Sequence, residues 1–363
     1  MSGAQFSVAK IIQLFGLDIS RQALVNAENT GLIPTAKRRG NQRSWELADL
    51  PKIGERYGFM KKPKSPVVVA IFTTKGGVLK STIALNLGRM AALHNIKTCI
   101  VGLDMQCDIT NALGFQVDLE DADNLTDALE RLSSTYGLAD LGHNGLTVND
   151  LIQSTEIPSL SLIPETSALV MLEREISKKN MRDFWLRDQV VNPLKENFDL
   201  IILDCSPNWN LLISNALMAC DILVSPLECK INNFNNFKAF KAYLDNFKAE
   251  TSKNFEHVFI PTKYVSTRKL SSEIRSWYLA NIPGCIGSVI RESAPGEESM
   301  ASQQSLPEYS PSSIVADEMR ETLKEVWGRV LQATASKHEK KTKQPLRTKG
   351  QRRLDAPAQG AEA

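Results

Sequence analysis

Hydrophobic and polar positions divide the chain into two parts. Residues 1–60 contain short amphipathic stretches, whereas from residue 67 onward compact apolar runs alternate with longer amphipathic ones. This alternation is typical of an α/β fold, with a doubly wound, mostly parallel sheet covered by helices on both faces. Strands are predicted over 67–73, 98–103, 160–163, 199–204, 221–226, 256–262 and 285–290, and helices near 81–93, 167–178, 183–195, 209–219, 232–249, 270–280 and 315–334.

Composition adds two boundaries. Residues 61–66 read KKPKSP, a basic stretch interrupted twice by proline, and are predicted to be a linker. From about residue 337 almost nothing is apolar, so 337–363 is predicted to be a disordered basic tail. The chain is therefore interpreted as a small domain (1–60), a linker (61–66), a main domain (67–336) and a tail (337–363).

Charge is distributed unevenly along the 363 residues, although the net charge is only +2. Residues 1–66 carry eleven Lys/Arg against five Asp/Glu, and residues 337–363 carry eight against three, so the middle is acidic. Basic ends that flank an acidic core favour DNA binding by both ends. The alternative is that the basic residues at the ends are only solvent-exposed charges.

Targeting and redox signals point to the cytoplasm. The first residues lack the basic and apolar regions of a secretory signal, and no apolar run reaches the ~18 residues that a membrane span needs. The six cysteines form no C-x-x-C pair, which favours reduced thiols over a disulfide framework or a zinc site.

A candidate phosphate-binding loop follows the first strand of the main domain. Residues 73–82 read TTKGGVLKST and lead into a predicted helix. A glycine-containing turn and a Lys-Ser pair that open a helix direct backbone N–H groups and the helix N-terminus towards an anion. Lys80 is predicted to neutralise phosphate oxygens, and the Ser81 hydroxyl to ligate Mg²⁺.

The strict P-loop pattern GxxxxGK[ST] is broken twice, because Thr74 and Leu79 stand where it has glycine. Taken alone, the segment could be a glycine-rich turn before an amphipathic helix. KGGVLKST nevertheless resembles the deviant Walker A motif KGGxxK[ST] of the ParA/MinD family of P-loop ATPases. The resemblance implies nucleotide contacts from Lys75, Gly76, Gly77, Val78, Leu79, Lys80, Ser81 and Thr82.

The same resemblance assigns roles around the nucleotide. Lys75 is expected to reach the partner's nucleotide across an ATP-bridged homodimer, and thus to be catalytic. Leu79 replaces the usual glycine and is expected to alter the rate of ATP hydrolysis.

Two further segments match this family. Residues 102–110, GLDMQCDIT, are similar to its switch segment DxDPQGNAT at Asp104 and Gln106, and 198–207, FDLIILDCSP, resemble its Walker B strand. The mismatches are Gly102, Met105, Cys107 and Asp108. By resemblance, Asp104 positions the attacking water, and Asp104 and Asp204 join Ser81 around Mg²⁺, through water. Capping of the next helix is the alternative role for Asp204.

Later segments extend the resemblance to about residue 334. DILVSPL at 221–227 resembles a strand of the family, and IRES at 290–293 resembles its late strand and turn. Pro261 and Thr262 fall near where family members hold adenine. Arg268 and Lys269 fall where several ParA proteins bind DNA without sequence preference, although a solvated surface pair is equally compatible with the sequence.

The first 60 residues predict a helix-turn-helix. Ser7 and Gly16 delimit one short helix, and a second begins near Ser20. With GLIP at 31–34 and KRRGNQRSW at 37–45, the segment resembles the winged helix-turn-helix of MerR-type regulators. By resemblance, DNA contacts come from Arg21, Gln22, Arg38, Arg39 and Arg43. A helical dimerisation cap with a solvated basic loop is the alternative.

The leading hypothesis is a ParA-type partition ATPase with ATP and Mg²⁺ as cofactors. It implies a cytoplasmic, nucleoid-associated homodimer that binds DNA without sequence preference, hydrolyses ATP when a ParB-like partner stimulates it, and represses its own operon. The alternatives are an ATP-sensing transcriptional repressor, a MinD-like membrane-positioning protein, for which 337–363 lacks apolar periodicity, and a relative of the nitrogenase iron protein, for which the cysteines lack a cluster context.

Overall fold

The computed structural model describes residues 5–40, 42–115, 136–166 and 168–343. The predicted tail from residue 344 onward lies outside them, as does the side chain of Arg39. Each helix and strand below lies within these ranges.

The N-terminal unit combines three short strands with three helices. Its elements are β1 (Gln5–Ser7), α1 (Val8–Phe15), α2 (Arg21–Asn29), β2 (Lys37–Arg39), β3 (Gln42–Glu46) and α3 (Leu50–Tyr57). Ser7 and Ser20 cap α1 and α2, since their hydroxyls accept the N–H groups of Lys10 and Ala23. The strands form an antiparallel sheet in the order β1-β3-β2, in which β2 and β3 make a hairpin.

The main domain is built on an eight-stranded sheet. Its strands are β4 (Val67–Ile71), β5 (Thr98–Leu103), β6 (Gln153–Ser154), β7 (Leu160–Ile163), β8 (Leu200–Cys205), β9 (Ile222–Glu228), β10 (Glu256–Tyr264) and β11 (Ile290–Arg291). Their order is β11-β10-β9-β4-β8-β5-β7-β6, and the pairs are parallel except β6–β7. Val67, Val69 and Ile71 enter one apolar layer, whereas Val68 and Ala70 enter the other. The predicted doubly wound, mostly parallel sheet is therefore confirmed.

Helices cover both faces of this sheet. They are α4 (Lys80–Leu93), α5 (Asp108–Ala112), α6 (Leu169–Ser177), α7 (Asn192–Leu194), α8 (Leu211–Ala219), α9 (Asn233–Thr251), α10 (Lys269–Asn281), α11 (Ala294–Ala301), α12 (Leu306–Tyr309) and α13 (Ile314–Lys343). Short 3₁₀ turns lie at Leu47–Asp49, Leu138–Asp140, His143–Gly145, Val148–Leu151 and Arg182–Phe184, and a π-helical turn at Arg187–Val191.

Three predicted elements differ from the structure. The helix expected over 183–195 is broken into 3₁₀, π and α turns, since Pro193 has no N–H for the helical ladder. The strand expected over 285–290 is reduced to β11 and one bridge at Cys285. Helix α13 continues to Lys343, so the tail predicted from 337 begins inside a helix, because Lys and Glu favour helix even without apolar neighbours.

The N-terminal unit packs directly against the main domain. Gly54 of α3 meets the backbone carbonyl of Leu93 at the end of α4, where a Cβ would overlap it. Trp327 of α13 donates from Nε1 to the carbonyl of Lys61 at 2.9 Å, and Pro63 is buried. The predicted linker is thus held on the surface of a core that both units share.

His94 lies at the junction of the two units. Its ring contacts those of Phe15 and Phe59 edge-on, and Nδ1 lies 2.6 Å from the carbonyl of Met90. Burial lowers the pKa of His94 to about 4. The neutral ring is therefore the form that the folded chain accommodates.

We expect this burial to make folding sensitive to acid. Because the folded-state pKa is depressed, stability contributed by neutral His94 is complete above about pH 6.5 and is lost as pH falls towards 4, by roughly 3 kcal/mol. His94→Phe, which keeps an aromatic ring, should flatten the pH dependence of urea unfolding between pH 7 and 5, whereas the exposed control His143→Phe should not. An unchanged pH profile for His94→Phe would contradict this assignment.

Candidate functional site

The loop between β4 and α4 is open on one side. Residues Phe72 and Thr73 at its start are buried, whereas Gly76 and Gly77 are exposed. Gly77 has φ +67°, and a Cβ added at either glycine would meet no atom within 4 Å. The loop therefore leaves room for an anion above its backbone, next to the first turn of α4.

Two side chains in this region occupy left-handed backbone. Leu79, directly before α4, has φ +75° and ψ +29°, and Cys107, directly before α5, has φ +58°. A left-handed conformation costs an ordinary residue roughly 1 kcal/mol, which explains why glycine suits these positions. The Leu79 side chain packs partly against the core and also lines the clefts described below.

Lys80 lies buried among carboxylates. Its side chain is 7% exposed, and Nζ donates to the carbonyl of Lys75 at 3.3 Å. Burial lowers the pKa of Lys80, against the opposing effects of Asp204 and Asp104. An ammonium held in this way is available to an anion in the open loop.

Asp204 is the most enclosed acid of the group. It lies near the carboxyl end of β8 at 0% exposure, and neither carboxylate oxygen has a hydrogen-bond partner of good geometry in the described chain. Burial raises the pKa of Asp204, while the neighbouring Ser81 hydroxyl and Lys80 oppose that rise. Unsatisfied buried oxygens of this kind indicate a missing cationic or hydrogen-bonding partner.

Asp104 and Asp108 complete the acidic surroundings of Lys80, and Glu165 lies near Asp204 and Asp104. Asp104 is 8% exposed, and its Oδ1 accepts the N–H of Gln106 at 3.2 Å. Burial and the nearby Asp104 raise the pKa of Asp108. Burial raises the pKa of Glu165 well above its ordinary value, and Asp204 adds to the effect. The parallel strands thus bring the predicted Lys80, Ser81, Asp104 and Asp204 together.

Lys75 makes an ion pair that the sequence did not predict. Its ammonium pairs with Glu228 at the end of β9, and Glu228 also pairs with Lys230 at 2.8 Å. Although burial acts to raise it, the two lysines hold the pKa of Glu228 below its ordinary value. Lys75 therefore lies folded back within its own chain.

Two adjoining clefts border the loop. One, of about 390 Å³, is lined by the loop residues with Asp104 and Gln106, and the other, of about 460 Å³, by residues of α11 and of the β11 end. Lys263 lines both clefts, whereas the predicted Pro261 and Thr262 are buried in β10. The first side chain to reach the clefts is thus one residue beyond the predicted pair.

Some of the predicted DNA-contacting side chains are exposed, whereas that of Arg43 forms a short ion pair within the protein. Arg21 and Gln22 are exposed on the first turn of α2, and Arg38 is 58% exposed. Arg43 instead pairs with the buried Glu28, Nε to Oε2 at 2.7 Å, and is 24% exposed. Arg268 and the 92% exposed Lys269 lie at the start of α10.

The described ranges contain neither a ready-made metal site nor a membrane-spanning helix. There, no three His, Cys, Asp or Glu side chains are grouped as a ready-made metal site. No helix in that part of the chain has the length and apolar character needed to cross a membrane. All six cysteines are free thiols.

Two known proteins are similar in sequence to part of this chain. The chromosome partitioning protein ParA of Myxococcus xanthus is 32% identical over 163 residues, which cover 45% of this chain and 52% of that protein. The sporulation initiation inhibitor protein Soj of Bacillus subtilis is also 32% identical over 163 residues, 45% of this chain and 58% of Soj. The chain thus spans about half the length of these curated relatives.

A solved structure shares the fold. The putative plasmid partition protein of Borrelia burgdorferi bound to AMPPNP has a TM-score of 0.56 at 19% identity, over 75% of this chain and 99% of that one. This chain therefore shares the fold of that partition protein. The family model described as AAA domain matches residues 67–257, more than half of the sequence. The chain therefore belongs to the AAA domain family.

Proposed function

We propose that this chain is a ParA-type partition ATPase that works with ATP and Mg²⁺. The observation that carries the proposal is the open Gly76–Gly77 loop with buried Lys80 beneath it, facing the unpartnered oxygens of Asp204. The partition relatives support it.

The residues of the site fit a nucleotide with a divalent cation. Backbone N–H groups of the loop and the ammonium of Lys80 would hold phosphate oxygens, while Ser81 and Asp204 would hold the metal, the aspartate through water. When bound, ATP supplies the phosphoryl group and Mg²⁺ the positive charge that transfer to water requires. Asp104, fixed through Gln106, would orient the attacking water.

Lys75 would act in a homodimer. To reach a partner's nucleotide it must leave Glu228, which Lys230 continues to neutralise. A ParB-like partner would stimulate hydrolysis in that dimer. The protein would then cycle on and off nucleoid DNA.

The N-terminal unit would bind an operator as a MerR-like winged helix-turn-helix. Its two capped helices and its β2–β3 hairpin support this proposal, with Arg21 and Gln22 on α2 and Arg38 and Arg39 on the hairpin. Arg43 would act on the DNA indirectly, because it neutralises the buried Glu28 behind the hairpin.

An ATP-sensing repressor is the second candidate. The packing of α3 on the end of α4 favours it, because α4 begins at the loop and could transmit nucleotide binding to the N-terminal unit.

We expect ATP, but not ADP, to promote binding to random duplex DNA and DNA-stimulated hydrolysis. Phosphate-dominated binding weakens steeply with salt, so Lys269→Ala should lower the magnitude of the salt slope by about one, whereas the control Lys241→Ala should not. Fluorescence anisotropy over a salt series measures this. Binding confined to DNA upstream of the gene, without hydrolysis, would favour the repressor instead.

Variants at Arg38 and Arg43 test whether the N-terminal unit binds an operator. Arg38→Ala should weaken binding to the upstream DNA with little change in the melting temperature, since the side chain is 58% exposed and its ion pair with Glu28 is long, at 3.9 Å. Arg43→Ala should lower the melting temperature, because it leaves the carboxylate of Glu28 buried without its closest partner.

A further inference from the structure

Glu165 is a buried acid that the proposed mechanism does not use. It follows β7 and is 3% exposed. Its Oε2 accepts hydrogen bonds from the N–H of Thr110 at 3.0 Å and from the Thr110 hydroxyl at 2.7 Å, and that hydroxyl accepts the N–H of Glu165 at 3.0 Å. Cys107 donates from Sγ to the Glu165 carbonyl at 3.6 Å. Glu165 thus binds the switch segment, residues 102–110, near its end.

Gly102 makes room for this side chain. A Cβ on Gly102 would overlap Cγ and Cδ of Glu165 and come within 2.8 Å of Oε1. Gly102 lies near the end of β5, and Glu165 follows the end of β7, the neighbouring parallel strand, at the same edge of the sheet. The Glu165 carboxylate therefore occupies the volume into which a side chain at position 102 would extend, two residues before Asp104.

We propose that Glu165 is a positioning residue of the nucleotide site, which takes the place of the side chain absent at Gly102 and fixes the switch segment through Thr110. The switch pattern has aspartate at position 102, and here the carboxylate comes from the segment that follows the adjacent strand β7. Asp104 is held between two fixed points, the end of β5 and the Thr110–Glu165 pair. The effect of Glu165 on catalysis rests on the proposed ATPase function, whereas its contacts with Thr110 and Gly102 do not depend on that function.

The melting temperatures of a single and a double variant test whether Glu165 fills the volume of a side chain at position 102. Gly102→Asp alone should lower the melting temperature by roughly 5–10 °C, because two side chains compete for one volume. Gly102→Asp/Glu165→Ala should recover most of that loss, since the aspartate then has the vacated space. If the double variant is no more stable than Gly102→Asp, Glu165 does not take the place of a side chain at position 102.

Hydrogen exchange and hydrolysis test the positioning. Glu165→Ala should raise amide exchange across 104–112 without nucleotide and lower kcat for ATP about 10-fold or more, with affinity changed less than about 3-fold. Glu165→Gln keeps an acceptor for Thr110 and should retain near-wild-type values. Thr110→Val should reproduce Glu165→Ala and add little to it, whereas the exposed control Glu196→Ala should change neither readout.

The outcomes separate the two proposals. Unchanged exchange and kcat in Glu165→Ala would overturn the positioning role. If the wild type does not hydrolyse ATP, the proposed function fails, and the exchange measurement still decides whether Glu165 orders the switch segment.

Discussion

Lys80→Met is expected to lower the affinity for ATP by about 100-fold while the chain stays folded. The ammonium lies beneath an open glycine loop and is desolvated, so its hydrogen bonds to phosphate would be charge-assisted ones, worth roughly 1.5–3 kcal/mol. Methionine retains the apolar stem and loses only the charge. Titration with a fluorescent ATP analogue measures the change directly.

A second readout uses stability. Ligand that binds only the folded state stabilises it by about 2.7 kcal/mol at 100 times Kd, so ATP should raise the melting temperature of the wild type and not that of Lys80→Met. Lys97→Met, at an exposed lysine before β5, is the matched control and should behave as wild type. Undiminished affinity in Lys80→Met would remove the phosphate-loop assignment.

Much of the site followed from the sequence because parallel strands end together. The apolar runs that became β4, β5 and β8 are buried on both faces, and such runs are recognisable without their partners. The loop after β4 leads to Lys80, Asp104 directly follows β5, and Asp204 is the last residue but one of β8. Adjacent parallel strands then bring Lys80, Asp104 and Asp204 to one edge of the sheet.

The partners of these residues could not be predicted, because they are distant in sequence. Glu228 lies 153 positions from Lys75, and Glu165 lies 55 positions from Thr110. Gly102 stood out only as a mismatch, and the acid that fills its place follows another strand, β7. A pattern along one segment contains no information on such pairings.

Composition was also misleading at the domain junction. Residues 61–66 have the prolines and lysines of a linker, yet Pro63 is buried and Trp327 binds the carbonyl of Lys61. The resemblance to MerR-type regulators predicts that Arg43 contacts DNA, and its ion pair with Glu28 was not predicted. Neither contact can be predicted from composition, because burial depends on which distant element packs over a segment.

Arg89→Met is expected to destabilise the chain by about 3–5 kcal/mol. Arg89 and Glu308 are 2% and 1% exposed at their side chains and form a bidentate pair between α4 and α12, with Nε–Oε2 and Nη2–Oε1 distances of 2.7 and 2.8 Å. Removing the arginine leaves a buried carboxylate without its cation, which is the costly way to break such a pair. Urea unfolding measures the loss. The matched control is Arg329→Met, whose partner Glu256 lies 3.5 Å away on the surface, and it should cost at most about 1 kcal/mol.

The pH dependence of that loss identifies its cause. Although burial acts to raise it, Arg89 holds the pKa of Glu308 below its ordinary value, so the stability contributed by this carboxylate is present above the unfolded-state pKa and is lost as pH falls through the folded one. In Arg89→Met the same acid must take up a proton to remain buried, so acid should favour that variant. The difference from wild type should therefore shrink between pH 7 and 4. Adding Glu308→Gln, which keeps an acceptor for Ser305, should recover part of the loss at pH 7. A difference that is independent of pH would mean that lost packing, and not the stranded charge, is responsible.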